Sequence, residues 1–169
     1  KMKSSQEKTF ISGRIWVLGD HINTDDIVPS NVLTSQDDAE IIGATLEGKL
    51  SNFSTRVSPG DWILAGKNFG CGSSREEAVF VFTQLGLGGI IAQSFARIFY
   101  RNAINLGLPV ITLSNAKEIG TKRDKIQVNL NSGRIINLTT NEEFKFPAFP
   151  PLIKQIIHAG YLLNLLQKN

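Results

Sequence analysis

Two periodicities alternate along the first two-thirds of this chain. Apolar stretches near 13–19, 61–66, 88–92 and 109–113 are short, rich in Ile, Leu, Val and Trp, and bounded by glycine, proline or aspartate, which predicts buried strands. Between the later ones the apolar spacing lengthens. Ala78, Val79, Phe82 and Leu85 recur at the spacing of one helical face, predicting helices near 74–85 and 95–106. Asp37 to Leu46 reads as a further short helix, spacing the loop before it. Strand and helix in alternation predict an α/β fold.

After Leu113 the pattern changes. Ile126–Leu130 and Arg134–Leu138 alternate apolar and polar residues around Asn131-Ser132-Gly133, a hairpin signal. Phe144-Lys145-Phe146 adds a short strand that the prolines at 147, 150 and 151 stop. A last helix is predicted from Pro151, with Ile153, Ile156 and Ile157 as its buried stripe, a break at Gly160, and a final apolar turn over Tyr161–Leu166. With no internal repeat and no low-complexity linker, residues 1–169 read as a single domain.

Composition narrows the class. A net charge of +3 and a pI near 9.1 are mildly basic, but Lys3, Lys8, Lys117, Lys122, Arg123 and Lys125 are dispersed. The balance therefore favours an anionic small molecule and predicts no nucleic-acid partner. The first ten residues hold no apolar signal region, and nowhere do 18 apolar residues run together, so no membrane span is expected. A cytoplasmic location is expected, or an organellar one if a transit peptide has been removed. His21 and His158 stand without metal-ligand spacing, and the ten phenylalanines read as core packing.

The candidate chemistry lies in Gly66-Lys67-Asn68-Phe69-Gly70-Cys71-Gly72-Ser73-Ser74-Arg75-Glu76, where a predicted strand gives way to a predicted helix. Ser73 and Ser74 are placed at or beside a helix N-terminus, whose free N–H groups and dipole favour anions. Gly70 and Gly72 let the backbone approach a ligand, and Arg75 offers a guanidinium that grips a carboxylate. The same spacing, Ser73 to Glu76 and Ser74 to Glu77, is equally the signature of a helix capping box. A nucleotide phosphate loop would need a lysine before Ser73, and a dinucleotide fingerprint would need glycine where Arg75 stands. Cys71, the single cysteine, reads as a small, partly buried loop residue or as a reactive thiol. One thiol neither forms an intrachain disulfide nor ligates an iron–sulfur cluster in the usual way.

Three blocks carry a resemblance to a known family. They are Gly13-Arg14-Ile15-Trp16-Val17-Leu18-Gly19-Asp20 with Asn23-Thr24-Asp25-Asp26-Ile27-Val28-Pro29, the glycine–serine loop, and Ser94-Phe95-Ala96-Arg97-Ile98-Phe99-Tyr100-Arg101-Asn102 with Asn105-Leu106-Gly107-Leu108-Pro109. Their order over roughly two-thirds of the chain is more specific than one loop. It resembles the mobile swivel domain of the aconitase superfamily, whose core loop reads Gly-x-Gly-Ser-Ser-Arg-Glu. Chain size and cysteine count point to the branch in which this domain is a separate small subunit, as in 3-isopropylmalate dehydratase and, close to it, homoaconitase.

The resemblance implies a swivelling β/β/α fold with a partly open β-barrel. It implies a large-subunit partner carrying a 4Fe-4S cluster, with no cofactor bound by this chain. The implied reaction is a hydro-lyase isomerisation of 2-isopropylmalate and 3-isopropylmalate, by dehydration and rehydration, in leucine biosynthesis. Its substrate is a hydroxy acid with two or three carboxylates. Ser73 would be the catalytic base, Ser74 and Arg75 would hold a carboxylate, and Gly70 and Gly72 would permit the approach. Asp25 matches an aspartate that orients an arginine, whereas Asp26 reads as local structure. Arg97 matches a residue that supports the serine loop; from spacing alone, Arg97 and Arg101 share a helix face and read as surface salt-bridge formers. Leu33 and Thr34 belong to the substrate-reading loop 30–35. That loop departs from the Tyr-Leu-Arg pattern of many isopropylmalate enzymes, with Val32 and Thr34 at the flanking positions. Losing a guanidinium there removes a carboxylate clamp and leaves room for an apolar substituent, so homoaconitate or another alkylmalate stays open beside isopropylmalate. Two readings from other classes also stand: a free anion-binding module, and an RNA-associated regulator suggested by the pI but lacking an aromatic and basic RNA motif.

Overall fold

A computed structural model describes residues 10–161 and Leu165. Its centre is a seven-stranded mixed sheet that curls into a half-barrel. The strands are β1 (Phe10–Val17), β2 (Trp62–Ala65), β3 (Gly89–Ala92), β4 (Val110–Thr112), β5 (Lys125–Asn129), β6 (Arg134–Asn137) and β7 (Glu143–Lys145), in spatial order β4-β3-β2-β1-β5-β6-β7. β1 to β4 are parallel, and β5 to β7 extend the sheet antiparallel from the other side of β1. β1 is where the two halves shear: Ile15–Val17 pair with β2, whereas Phe10–Arg14 pair with β5. Such a stagger bends a sheet toward a barrel. β4 and β7 remain its two edges, so the barrel is open as expected.

The parallel strands are buried on both faces, and their side chains divide by parity. Ile63, Ala65, Ile90, Ala92 and Val110 face a helical layer, while Trp62, Leu64, Ile91 and Ile111 face a second core with Ile126, Val128, Ile135 and Ile157. This division explains why the strands read as unbroken apolar runs. The helical layer holds α1 (Thr24–Ile27), α2 (Asp38–Gly43), α3 (Phe53–Arg56), α4 (Glu77–Gln84) and α5 (Arg97–Leu106). α4 buries Ala78, Val79, Val81 and Phe82; α5 buries Phe99, Ala103 and Ile104. Each fully buried Phe or Ile contributes about 1.5–3 kcal/mol. α5 ends on Gly107 at φ 79°, where the Leu108 N–H donates back to the Ala103 carbonyl at 2.9 Å.

The start of β2 is tied to β1 by the buried Asp61. Its carboxylate accepts from the Arg14 backbone N–H, the Trp16 indole and the Ser58 N–H, each at 2.9 Å. Three donors satisfy a polar group that would otherwise be costly to bury. The predicted hairpin is present, with the Asn129 side chain accepting from the N–H groups of Asn131 and Ser132 at the turn.

The C-terminal helix α6 (Pro151–Ala159) begins where expected, but Ile157 is buried while Ile153 and Ile156 are half-buried. Of the predicted final turn over 161–166, residues 162–164 and 166 lie outside the described residues. Among the described residues no helix is long and apolar enough to cross a membrane.

Candidate active site

Ligand sites in parallel sheets form at the carboxyl ends of the strands, and here three neighbouring strands continue past their ends as hydrogen-bonded lanes. The middle lane, which leaves β2, is the glycine–serine loop. The Gly70 N–H donates to the Ile22 carbonyl at 2.7 Å and the Thr24 N–H to the Cys71 carbonyl at 2.8 Å, fastening this loop to the segment after β1. On its other side the Phe69 N–H donates to the Ser94 carbonyl at 3.0 Å and the Ala96 N–H to the Phe69 carbonyl at 2.9 Å. The Ser94 hydroxyl also accepts from the Asn68 N–H at 2.7 Å. The three sequence blocks that carried the resemblance are therefore adjacent in space. Phe69, Phe95 and Phe99 interlock beneath the loop, with Phe69 and Phe99 ring centroids 5.2 Å apart at an interplanar angle of 72°. Gly70, at φ +83°, lies directly on Phe99, leaving no space for a Cβ.

The placement of the two serines corrects the sequence reading. α4 starts at Glu77, and Glu76 before it already has helical angles and makes no side-chain cap. Ser73 and Ser74 are thus in the loop, four and three residues ahead of the helix, and neither capping box forms. The first turn of α4 is closed instead by backbone bonds to the Arg75 and Glu76 carbonyls. A helix dipole fades within one turn, so it supports these hydroxyls less than the spacing suggested. Both serines are exposed, and their hydroxyls make no hydrogen bond among the described residues. The Ser73 backbone is held, because the Thr24 hydroxyl donates to its carbonyl at 2.8 Å.

Arg75 is largely buried, its side chain 18% exposed. One terminal nitrogen donates to the Val28 carbonyl at 2.9 Å and lies 3.4 Å from the Asp25 carboxylate. The Ser30 N–H, and then Arg75, hold the Asp25 carboxyl below its ordinary range, so it is ionised at neutral pH. The contact with Asp25 is single and not the two-pronged pair its chemistry permits. Asp26 is local structure as read: with Asn23 it forms the reciprocal capping box of α1, a helix the sequence reading treated as loop.

These residues enclose a cleft of about 270 Å³, bounded on one side by Gly70, Gly72, Ser73, Ser74 and Arg75 with Thr24, and on the other by α5. α5 contributes Arg97, Ile98, Phe99 and Asn102. Support of the serine loop comes from the neighbours Ser94, Ala96 and Phe99, while the exposed Arg97 and Arg101 form no ion pair or hydrogen bond among the described residues. The expected surface salt bridges are therefore not made.

Leu33 and Thr34 do not line the cleft: Leu33 rests on the helical-side core and Thr34 is exposed. Their loop connects to the cleft through the Ser30 N–H, which donates to Asp25 at 2.9 Å. Cys71 is half-buried and serves the loop through its carbonyl. Thr24, Ile98, Phe99 and Asn102 were not singled out from sequence. Each falls within a block quoted for the resemblance, which is the one signal that pointed to them. Among the described residues no three His, Cys, Asp or Glu side chains gather as a metal site.

Residues 21–116 match the family described as the aconitase C-terminal domain. The 3-isopropylmalate dehydratase small subunit of Thermodesulfovibrio yellowstonii is 40% identical over 94% of each chain. The methanogen homoaconitase small subunit of Methanothermobacter thermautotrophicus is 44% identical over 91% of this chain and 89% of its own. A crystal structure of 3-isopropylmalate dehydratase from Methanocaldococcus jannaschii superimposes with a TM-score of 0.83 at 40% identity, covering 94% of both chains.

Proposed function

This chain belongs to the aconitase C-terminal domain family, and from that premise we propose that it is the small subunit of 3-isopropylmalate dehydratase, a hydro-lyase that works only with a large subunit. In this reading it interconverts 2-isopropylmalate and 3-isopropylmalate through an alkene, in leucine biosynthesis and in the cytoplasm. The observation that carries the proposal is the cleft itself, where the Ser73 and Ser74 hydroxyls, without a hydrogen-bond partner among the described residues, stand beside the pinned Arg75 guanidinium.

The donor set of this chain, with its single cysteine, does not fit a 4Fe-4S cluster. We assign the cluster to the large subunit, where it would supply Lewis-acid chemistry. The residues present here bind and move a proton. Ser73, as alkoxide, takes the proton from the carbon next to the hydroxyl-bearing one and returns it when water adds back in the other direction. A free serine is a weak base, and the helix terminus lies too far to help much. Its activation therefore rests on Arg75 and on the partner.

Ser74 and the free edge of the Arg75 guanidinium hold a carboxylate, with Asp25 and the Val28 carbonyl fixing that guanidinium. Gly70 and Gly72, at φ +83° and +96°, give the loop the shape that brings both hydroxyls to the cleft. Leu33 and Thr34 act on substrate choice from outside the cleft, through the loop whose Ser30 N–H donates to Asp25.

A homoaconitase relative as similar as the isopropylmalate ones leaves a second substrate to be tested. In a panel on the reconstituted two-subunit enzyme, kcat/KM for 3-isopropylmalate is expected to exceed that for homoaconitate by about a hundredfold, since loop 30–35 holds no guanidinium to pair with an added carboxylate. The reverse preference would transfer the chain to the homoaconitase branch.

A further inference from the structure

A 2-alkylmalate carries two carboxylates, and the cleft is lined by two guanidiniums and no acidic side chain. The two arginines differ in state. Arg75 is compensated by Asp25 and tethered to the Val28 carbonyl, whereas Arg97, on the opposite wall, is exposed and has neither ion pair nor hydrogen bond among the described residues. Arg97 is thus the uncompensated positive charge of the cleft. It stands at the first position of α5, whose own backbone is fixed from below by Phe99 against Gly70. A long side chain on a rigid base, with five unused donors, suits bidentate capture of an anion. Asn102, at i+5 from Arg97 and in the same lining, adds an amide donor, and Ile98 beside them is 51% exposed, offering apolar contact.

We infer that Arg97 is a substrate-contacting residue, binding the second carboxylate of the hydroxy acid across the cleft from the one held by Ser74 and Arg75. This rests on the dehydratase reading and deepens it. Substrate then spans the cleft between the serine loop and α5, with its reacting carbons over Ser73. Arg101, one turn along and outside the lining, has no such role.

Steady-state rates with 3-isopropylmalate on the two-subunit enzyme test this for wild type, Arg97→Gln, Arg97→Lys and Arg101→Gln, alongside the subunit Kd from titration of the large subunit. Arg97→Gln is expected to raise KM about tenfold or more with the subunit Kd unchanged. Arg97→Lys should recover part of the loss, and Arg101→Gln should change KM less than about twofold. Because the exposed Arg97 makes no hydrogen bond or ion pair among the described residues, the Gln variant should melt within about 2 °C of wild type, so the rates report on binding and not on folding. An unchanged KM overturns the inference. So does a weakened subunit Kd that accounts for the whole rate loss, which would give Arg97 to a carboxylate of the large subunit. Ser73→Ala separates the two levels: if it is inactive while Arg97→Gln keeps the wild-type KM, only this inference fails; if it stays active, the dehydratase mechanism fails first.

Discussion

In the assembled two-subunit enzyme, Ser73→Ala is expected to lower kcat by roughly 10²–10⁴-fold while KM moves by less than about threefold, as when a proton-transfer group is lost from the transition state. The structure makes this a clean substitution. The Ser73 hydroxyl is exposed and unpaired among the described residues, and the one bond that holds the residue, from the Thr24 hydroxyl, goes to its backbone carbonyl. Alanine keeps that bond, so loop shape and melting temperature should stay near wild type. Retention of more than a tenth of wild-type turnover would remove Ser73 as the base.

Gly70→Ala is expected to cost about 3–5 kcal/mol of stability and nearly all activity of the complex. Two penalties coincide. A side chain at φ +83° is strained by about 1–3 kcal/mol, and the new methyl would overlap the Phe99 ring, which is locked among Phe69 and Phe95. Gly72→Ala provides the contrast. Its φ of +96° carries strain, but the nearest atom is the Thr24 hydroxyl at 3.4 Å, so it should cost only the backbone penalty. Urea unfolding of the isolated chain reads the difference. Relief of Gly70→Ala by Phe99→Ala would assign the excess to the ring. Equal midpoints for Gly70→Ala and wild type would contradict the packing described.

Much of this architecture was legible because strand and helix periods are local properties. Trp62–Ala65 and Gly89–Ala92 declared themselves as short apolar runs, and Asn131-Ser132-Gly133 declared its hairpin. What was not legible is pairing at a distance. Nothing in Phe10–Arg14 indicates that it will bond β5 more than a hundred residues later while Ile15–Val17 bond β2. Local signals also misled. Ser73/Glu76 and Ser74/Glu77 have capping-box spacing, yet Arg75 and Glu76 turn into the helix without it. The box that does form, Asn23 with Asp26, starts a four-residue helix too short to show a period.

The site divides the same way. Ser73, Ser74 and Arg75 are contiguous, and a contiguous motif is readable. Phe99 beneath Gly70, and Arg97 and Asn102 across the cleft, are brought there by the docking of α5 against the loop, which no spacing rule encodes. Arg97 and Arg101, on one helix face, read as surface salt-bridge formers; their lack of ion pairs and hydrogen bonds among the described residues emerged from the fold.

Initial rates of alkylmalate dehydration, measured with the purified chain, with its cluster-bearing large subunit, and with the two mixed, bear most directly on the half-site. Turnover confined to the mixture, rising with added chain until the large subunit is saturated, is the result expected. Turnover by the purified chain alone would contradict it.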